Sequence, residues 1–169
     1  MSHYQSELFD VITPIFVDNA QFFINDLFND KFGSDAPELT NHVITFYKHP
    51  NGHFMPVSYI SFLPYKKTIL VGGAITDGKA IRQIPEEQRE IISKSGGILY
   101  NMLKFGFSHY ADKCDAFFGH VNNPRALEVD LAAGFKETEY QYLVANFHKP
   151  MSQRKKKKML KMIHKLGAF

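Results

Sequence analysis

His120, Asp77, Tyr140 and Tyr142 are the side chains of this sequence best suited to moving protons, and Lys94-Ser95-Gly96-Gly97 is the segment best suited to holding an anion. An imidazole, with an intrinsic pKa of about 6.5, accepts a proton at neutral pH, whereas a phenol keeps its own there. His120 falls in an apolar run, Ala116 to Asn122, that reads as a strand, so a structural histidine within a sheet is the plainer reading. Asp77 is followed by Gly78 and reads equally as a turn. Tyr140 and Tyr142 lie on the last expected strand, Tyr140 to His148, where an aromatic pair on a half-exposed sheet is the alternative. His53, beside Asn51-Gly52, belongs to an exposed hairpin. Cys114 has no His or Cys around it at ligand spacing, so neither a metal site nor a thiol nucleophile is expected.

The anion-holding segment depends on how a helix is cut. Pro85 opens a charged turn, Glu86, Glu87, Arg89 and Glu90, that leads into Ile91, Ile92, Ile98, Leu99, Met102 and Leu103, with helix expected to about Tyr110. Gly96 and Gly97 inside it would each cost about 1 kcal/mol relative to alanine, which predicts a break, with Pro85 to Lys94 as a separate helix. A helix that starts at such a break presents N–H groups without acceptors and the positive end of its dipole. The alternative is one continuous helix whose glycines allow close packing on a sheet.

The elements that must position these residues follow from the pattern. Phe9 to Phe16 reads as an edge or first strand containing Pro14. Asp18 reads as the cap of a first helix, with Ala20, Phe23, Ile24, Leu27 and Phe28 at helical spacing and a stop at Gly33 and Pro37. Val43 to Tyr47, Phe54 to Leu63 and Thr68 to Thr76 read as three antiparallel strands, turning at Pro50-Asn51-Gly52 and at Pro64-Tyr65-Lys66-Lys67. After the glycine-containing helix come the strand Ala116 to Asn122, a short helix and the last strand.

That short helix carries the most specific signal. Asn123 and Pro124 open it, Ala126, Leu127 and Leu131 form its apolar stripe, and Gly134 closes it before Phe135. An Asn leading into Arg125-Ala126, with Gly-Phe eleven residues after the Asn, resembles the penultimate helix of the GNAT acyltransferase superfamily, and the order of elements over residues 9 to 148 resembles the same superfamily. The resemblance implies an α/β chain of the α+β type, with a mixed, mostly antiparallel sheet flanked by helices and splayed between the fourth and fifth strands.

It also implies N-acyltransferase (acetyltransferase) chemistry, direct transfer from acetyl-CoA or another acyl-CoA to a small amine or amino-group acceptor, with no metal. The family's pyrophosphate loop reads Arg or Gln, two residues, Gly, one residue, Gly or Ala. Lys94-Ser95-Gly96-Gly97-Ile98-Leu99 is the nearest match, with Lys94 as the basic residue, Gly97 as the first glycine and Leu99 where Gly or Ala belongs. Ala74, Ile75 and Thr76 would face the pantetheine amide, with Gly72 and Gly73 marking a bulge or close approach, and Asn123, followed by Arg125, would lie near the pantetheine arm, or simply cap its helix. Many family members place a Tyr four residues before the Gly of Gly-Phe as the acid that protonates the thiolate. Here that position is Asp130, which as an exposed carboxylate would be ionised, so Tyr140 or Tyr142 is expected as the acid and His120 or Asp77 as the base. The departures at Leu99 and Asp130 fit a second reading, a GNAT-fold binding or regulatory module without catalysis.

Composition sets the outer bounds. A chain of 169 residues that is 44% hydrophobic and 14% aromatic buries a sizeable core, and its 16 Phe and absent Trp suit a sheet covered by helices. One cysteine excludes an internal disulfide, no apolar run approaches the roughly 20 residues of a membrane span, and the first residues, Met-Ser-His-Tyr-Gln-Ser-Glu, lack a targeting pattern, so a cytoplasmic protein is expected. The net charge of +3 is unevenly placed: residues 152–169 hold seven basic residues and no acid, leaving 13 basic against 17 acidic residues in 1–151. The expected division is therefore an acyltransferase-like domain over 1–151 and a basic amphipathic tail helix over 152–169, with Met159, Leu160, Met162, Ile163, Leu166 and Phe169 on its apolar side. Such a tail can lie on an anionic membrane surface, bind nucleic acid or an acidic partner, or pack its stripe on the domain. A protruding last strand or tail would also suit a homodimer.

Overall fold

The structure, a computed structural model, describes residues 3–38 and 41–169. The chain forms two compact units, one from Met1–Ser61 and Ala74–Met102, the other from Phe62–Gly73 and Leu103–Phe169. The elements run α1 (His3–Val11), β1 (Ile12–Val17), α2 (Gln21–Phe32), β2 (His42–Lys48), β3 (Phe54–Tyr65), β4 (Thr68–Thr76), α3 (Gly78–Gln83), α4 (Glu86–Lys94), α5 (Gly97–Tyr110), β5 (Ala116–His120), α6 (Pro124–Ala133), β6 (Lys136–Glu137), β7 (Leu143–Asn146) and α7 (Gln153–His164). The strand order is β1-β2-β3-β4-β5-β7-β6. The pairs β1–β2, β2–β3, β5–β7 and β6–β7 are antiparallel, and β4–β5 is parallel. This mixed, mostly antiparallel sheet flanked by helices is the α+β arrangement that the family resemblance implies.

In the first unit, Ala20, Ile24 and Phe28 of the α2 region pack on Ile44, Phe46, Tyr59 and Ile75 of the strands. Two expectations are corrected here. Phe9 to Val11 is helical: Leu8 and Val11 are buried three residues apart, a period hidden by the β-branched run that follows them. Pro14 does lie in the edge strand, β1. The cap of α2 is not Asp18, since the Gln21 N–H donates to Asn19 Oδ1 at 2.9 Å and Ala20 holds the capping position.

In the second unit, Leu70, Ala116, Phe118, Leu143 and Ala145 form a sheet face that Met159 and Ile163 of α7 complete. Of the alternatives for the tail, packing of its apolar stripe is the one seen. Ser152 caps α7 by accepting from the Lys155 N–H at 3.3 Å, Lys155 pairs with Asp115 at 2.8 Å, and Lys156 lies 5.3 Å over the Phe147 ring. Because Ile163 is fully buried, deleting one of its methyl groups in Ile163→Val should cost about 1 kcal/mol in urea denaturation. An unchanged midpoint would mean that α7 is not docked in solution.

Three further corrections bear on the site. β5 ends at His120 rather than Asn122, and β3 runs on through Pro64 to Tyr65. Tyr140 and Tyr142 precede β7 instead of lying on it, in a turn that Thr138 organises: its Oγ1 donates to the Leu143 carbonyl at 2.8 Å and accepts from the Tyr140 N–H at 3.1 Å. No helix among the described residues is long and apolar enough to cross a membrane.

Candidate active site

The predicted helix break is present. α4 stops at Lys94, Ser95 and Gly96 fold back by donating to the carbonyls of Ile91 and Ser93 at 3.1 and 3.0 Å, and α5 starts at Gly97. Gly96 and Gly97 have φ of +99° and +86°, a region that side chains with a Cβ disfavour. The loop is fixed from within α5: Asn101 Nδ2 donates to Gly97 O at 2.7 Å, to Ser95 Oγ at 3.0 Å and to Ser95 O at 3.2 Å. A Cβ on Gly96 would come within 2.7 Å of the Tyr100 ring, whereas Gly97 faces open space. The result is a rigid entry to a 14-residue helix, whose first-turn N–H groups lack intrahelical acceptors. Lys94 pairs with Glu90 at 3.1 Å on the surface.

The same unit holds the far end of β4. Ile75 is buried against α2, and Ala74 and Thr76 are exposed. Ser58 Oγ donates to the Ile75 carbonyl at 2.7 Å and lies 3.0 Å from Thr76 Oγ1, fixing this stretch. Asp77 does not merely turn the chain: its Oδ1 accepts from the N–H groups of Lys79 and Ala80 at 2.8 and 3.1 Å and so caps α3, a helix the sequence pattern did not reveal. An open depression of about 540 Å³ is lined here by Phe23, Leu27 and Ile75, and by Asp26, Asp30 and Lys79, with Lys79 3.7 Å from Asp30.

In the second unit the β4–β5 ladder ends with Val71 opposite Gly119, and β4 then passes through Gly72 and Gly73, the latter at φ +64°. This break in pairing matches the bulge or close approach expected of the glycine pair. His120 stands at the end of β5, and its ring centroid lies 6.0 Å from Tyr142 and 6.3 Å from Phe169. Tyr142 is 48% exposed with φ +65°. Tyr140 is turned elsewhere and stacks on His164 at 4.0 Å. Of the four proton-moving candidates, His120 and Tyr142 are therefore brought together. Asn123 caps α6 through Oδ1, accepting from Arg125 and Ala126 N–H at 3.0 and 3.2 Å, and the side chain of Arg125 is exposed.

Asp130 corrects an expectation. It is buried, at 7% exposure, and burial pushes its carboxyl up to about 7, so near neutral pH a large share of molecules hold the proton and the group can donate it. Burial likewise pushes the Cys114 thiol up to about 11, which keeps it protonated and unreactive. Asn101, which holds the Ser95–Gly97 loop, was not singled out in the sequence. An Asn in the first turns of a helix, just past a glycine pair, was a usable signal for Asn101, because Asn is disfavoured in helix interiors unless its side chain has a local task.

No protein-family model and no curated protein sequence matches the chain. Among solved structures it is similar to the ribosomal-protein-S18-alanine N-acetyltransferase from Escherichia coli, at 9% identity over 84% of this chain and 97% of that one, with a TM-score of 0.49. It is also similar to two spermidine N-acetyltransferase SpeG chimeras from Vibrio cholerae and hSSAT: one at 13% identity, covering 79% of this chain and 92% of that one with a TM-score of 0.46, the other at 13% identity, covering 80% and 95% with a TM-score of 0.42. These are likenesses of fold.

Proposed function

We propose that the protein is an N-acyltransferase that moves an acetyl or other acyl group from acyl-coenzyme A directly to a small amine. The observation that carries this reading is the Ser95–Gly97 break, a shaped loop that opens a long helix and is clamped by Asn101. The first N–H groups of α5, from Gly97 on, suit a diphosphate, with Lys94 beside them; Ser95 and Gly96 shape the loop, their own N–H groups being taken by the Ile91 and Ser93 carbonyls. The main chain of Ala74, Ile75 and Thr76 would pair with the pantetheine arm, with Asn123 and Arg125 as further contacts.

No protein nucleophile is required. The amine nitrogen attacks the thioester carbonyl carbon, the carbon–sulfur bond breaks, His120 takes the proton the nitrogen loses, and Tyr142 gives one to the departing thiolate. Strand N–H groups polarise the carbonyl as negative charge develops on its oxygen. Asp77 and Tyr140 then serve as a helix cap and a packing residue.

Thermal denaturation with acetyl-coenzyme A tests the proposal. A ligand at 100 times its Kd adds about 2.7 kcal/mol, which for a chain of this size raises Tm by roughly 5–10 °C. Gly97→Val, which φ +86° does not accommodate, should leave the circular dichroism spectrum intact and abolish that shift. A wild-type protein unmoved by millimolar acetyl-coenzyme A would end the proposal.

A further inference from the structure

Helix α7 docks through one side, and the side it turns outward is a row of cations. Residues 152–169 hold seven basic residues and no acid. At 3.6 residues per turn, Arg154, Lys158, Lys161 and Lys165 fall within about 60° of arc, on the side opposite the buried Met159 and Ile163. Lys165, the C-cap, keeps helical dihedrals, so the row is continuous. At 1.5 Å per residue it is about 16 Å long, and neighbouring members stand roughly 5–6 Å apart. All four are exposed. Lys155 is paired with Asp115 and Lys156 lies over Phe147, but the four of the row have no acidic partner among the described residues.

A groove of about 390 Å³ in the same unit adjoins the row, lined by Lys158, Lys161 and Lys165 and by Tyr65, Met162 and Leu166. Lys66, from the turn between β3 and β4, reaches the same place. Its Nζ lies 3.4 Å from Met162 Sδ and 5.3 Å from the Tyr65 ring centroid. Cations with aromatic and apolar surface beside them suit a strand that offers phosphates and open bases together.

Other polyanions fit this face less well. A helix lying on lipid sinks its apolar side among the headgroups, whereas Met159 and Ile163 are packed on Leu70, Ala116 and Phe118. A run of acidic residues brings charge without a flat ring to set on the groove. A duplex keeps its rings stacked inside. We infer that the outward face of α7, with Tyr65 and Lys66, binds single-stranded nucleic acid, the row meeting its phosphates and the groove taking a base, without reading sequence. The inference does not depend on acyl transfer, and failure of either leaves the other in place.

Fluorescence anisotropy with a labelled single strand of about 12 nucleotides tests it on the full chain. Five cations, the row and Lys66, give a salt slope of about −3.5, so binding should weaken roughly 100-fold between about 50 and 200 mM salt. Changing Lys158, Lys161 and Lys165 together to Gln should weaken binding at low salt by about 30-fold or more and flatten the slope by about 2. Changing the same three to Arg should preserve it, which separates loss of charge from loss of the helix. Lys31→Gln, Lys104→Gln and Lys136→Gln together remove the same charge elsewhere and should cost less than about threefold. Tyr65→Leu should weaken binding about tenfold with the slope unchanged. No binding at low salt, or an equal loss when the charges are removed elsewhere, overturns the inference. So does equal affinity for the matching duplex or for polyglutamate, or binding to phosphatidylserine vesicles that the single strand does not compete away.

Discussion

Replacing Asp130 with Asn should make the protein more stable above pH 7 and remove a pH dependence that the wild type shows on the acid side of neutrality. Asp130 is buried, and burial alone raises its carboxyl from 3.8 to about 7. In the unfolded chain the group has lost its proton above about pH 4, while the folded protein keeps it up to about pH 7. Between those values the native state binds the extra proton, so stability falls as pH rises and levels off above about 7. One unit of pKa is worth about 1.4 kcal/mol, which puts the full effect at about 4 kcal/mol or less. Asparagine is close in shape and never charges. Urea denaturation at pH 5 and pH 8 should show the variant gaining about 2–3 kcal/mol on the wild type between the two. A constant difference would mean that the carboxyl is solvated and ionised.

Gly106→Ala should destabilise the fold by about 3 kcal/mol, far more than the small change that alanine for glycine brings in an ordinary helix. Gly106 lies on α5 with its open side against Phe62, and an added Cβ would stand 2.0 Å from the ring's Cζ, with two further ring carbons at 2.3 and 2.6 Å. Phe62 is itself fully buried and stacks on Tyr110 with ring centroids 6.0 Å apart, so the ring cannot swing aside. Phe62→Leu removes the colliding atoms. In the Gly106→Ala background it should recover part of the loss, giving a coupling energy above about 1 kcal/mol in a double-mutant cycle. Additive effects would show that helix and strand separate freely to admit the methyl group.

The two residues also mark what a sequence reveals. β4 was legible to the residue because a nearly continuous apolar run between turns has one reading, and the α4–α5 break was legible because two adjacent glycines disfavour a helix whatever surrounds them. Asn123 and Gly134 were legible as cap and stop, but the stripe was not: α6 buries Asp130 and Ala133, while Ala126 and Leu127 are half-buried and Leu131 is exposed. Gly106 was silent, since its task is to admit Phe62, more than forty residues earlier in the chain. The burial of Asp130, the stacking of Tyr140 on His164 and the approach of Phe169 to Gly72 depend in the same way on contacts distant in sequence. The first helix was obscured for another reason: its buried Leu8 and Val11 run directly into β1, so helical and extended periods overlap.

The docking of α7 has a consequence for biosynthesis. About 90 residues separate Leu70 from Ile163, its partner in the second core. At about 5–20 residues per second, a ribosome needs roughly 5–20 s to make that stretch. During that interval Leu70, joined midway by Phe118, is without the α7 residues that cover it in the finished fold, so the last helix made is the one that closes the second core.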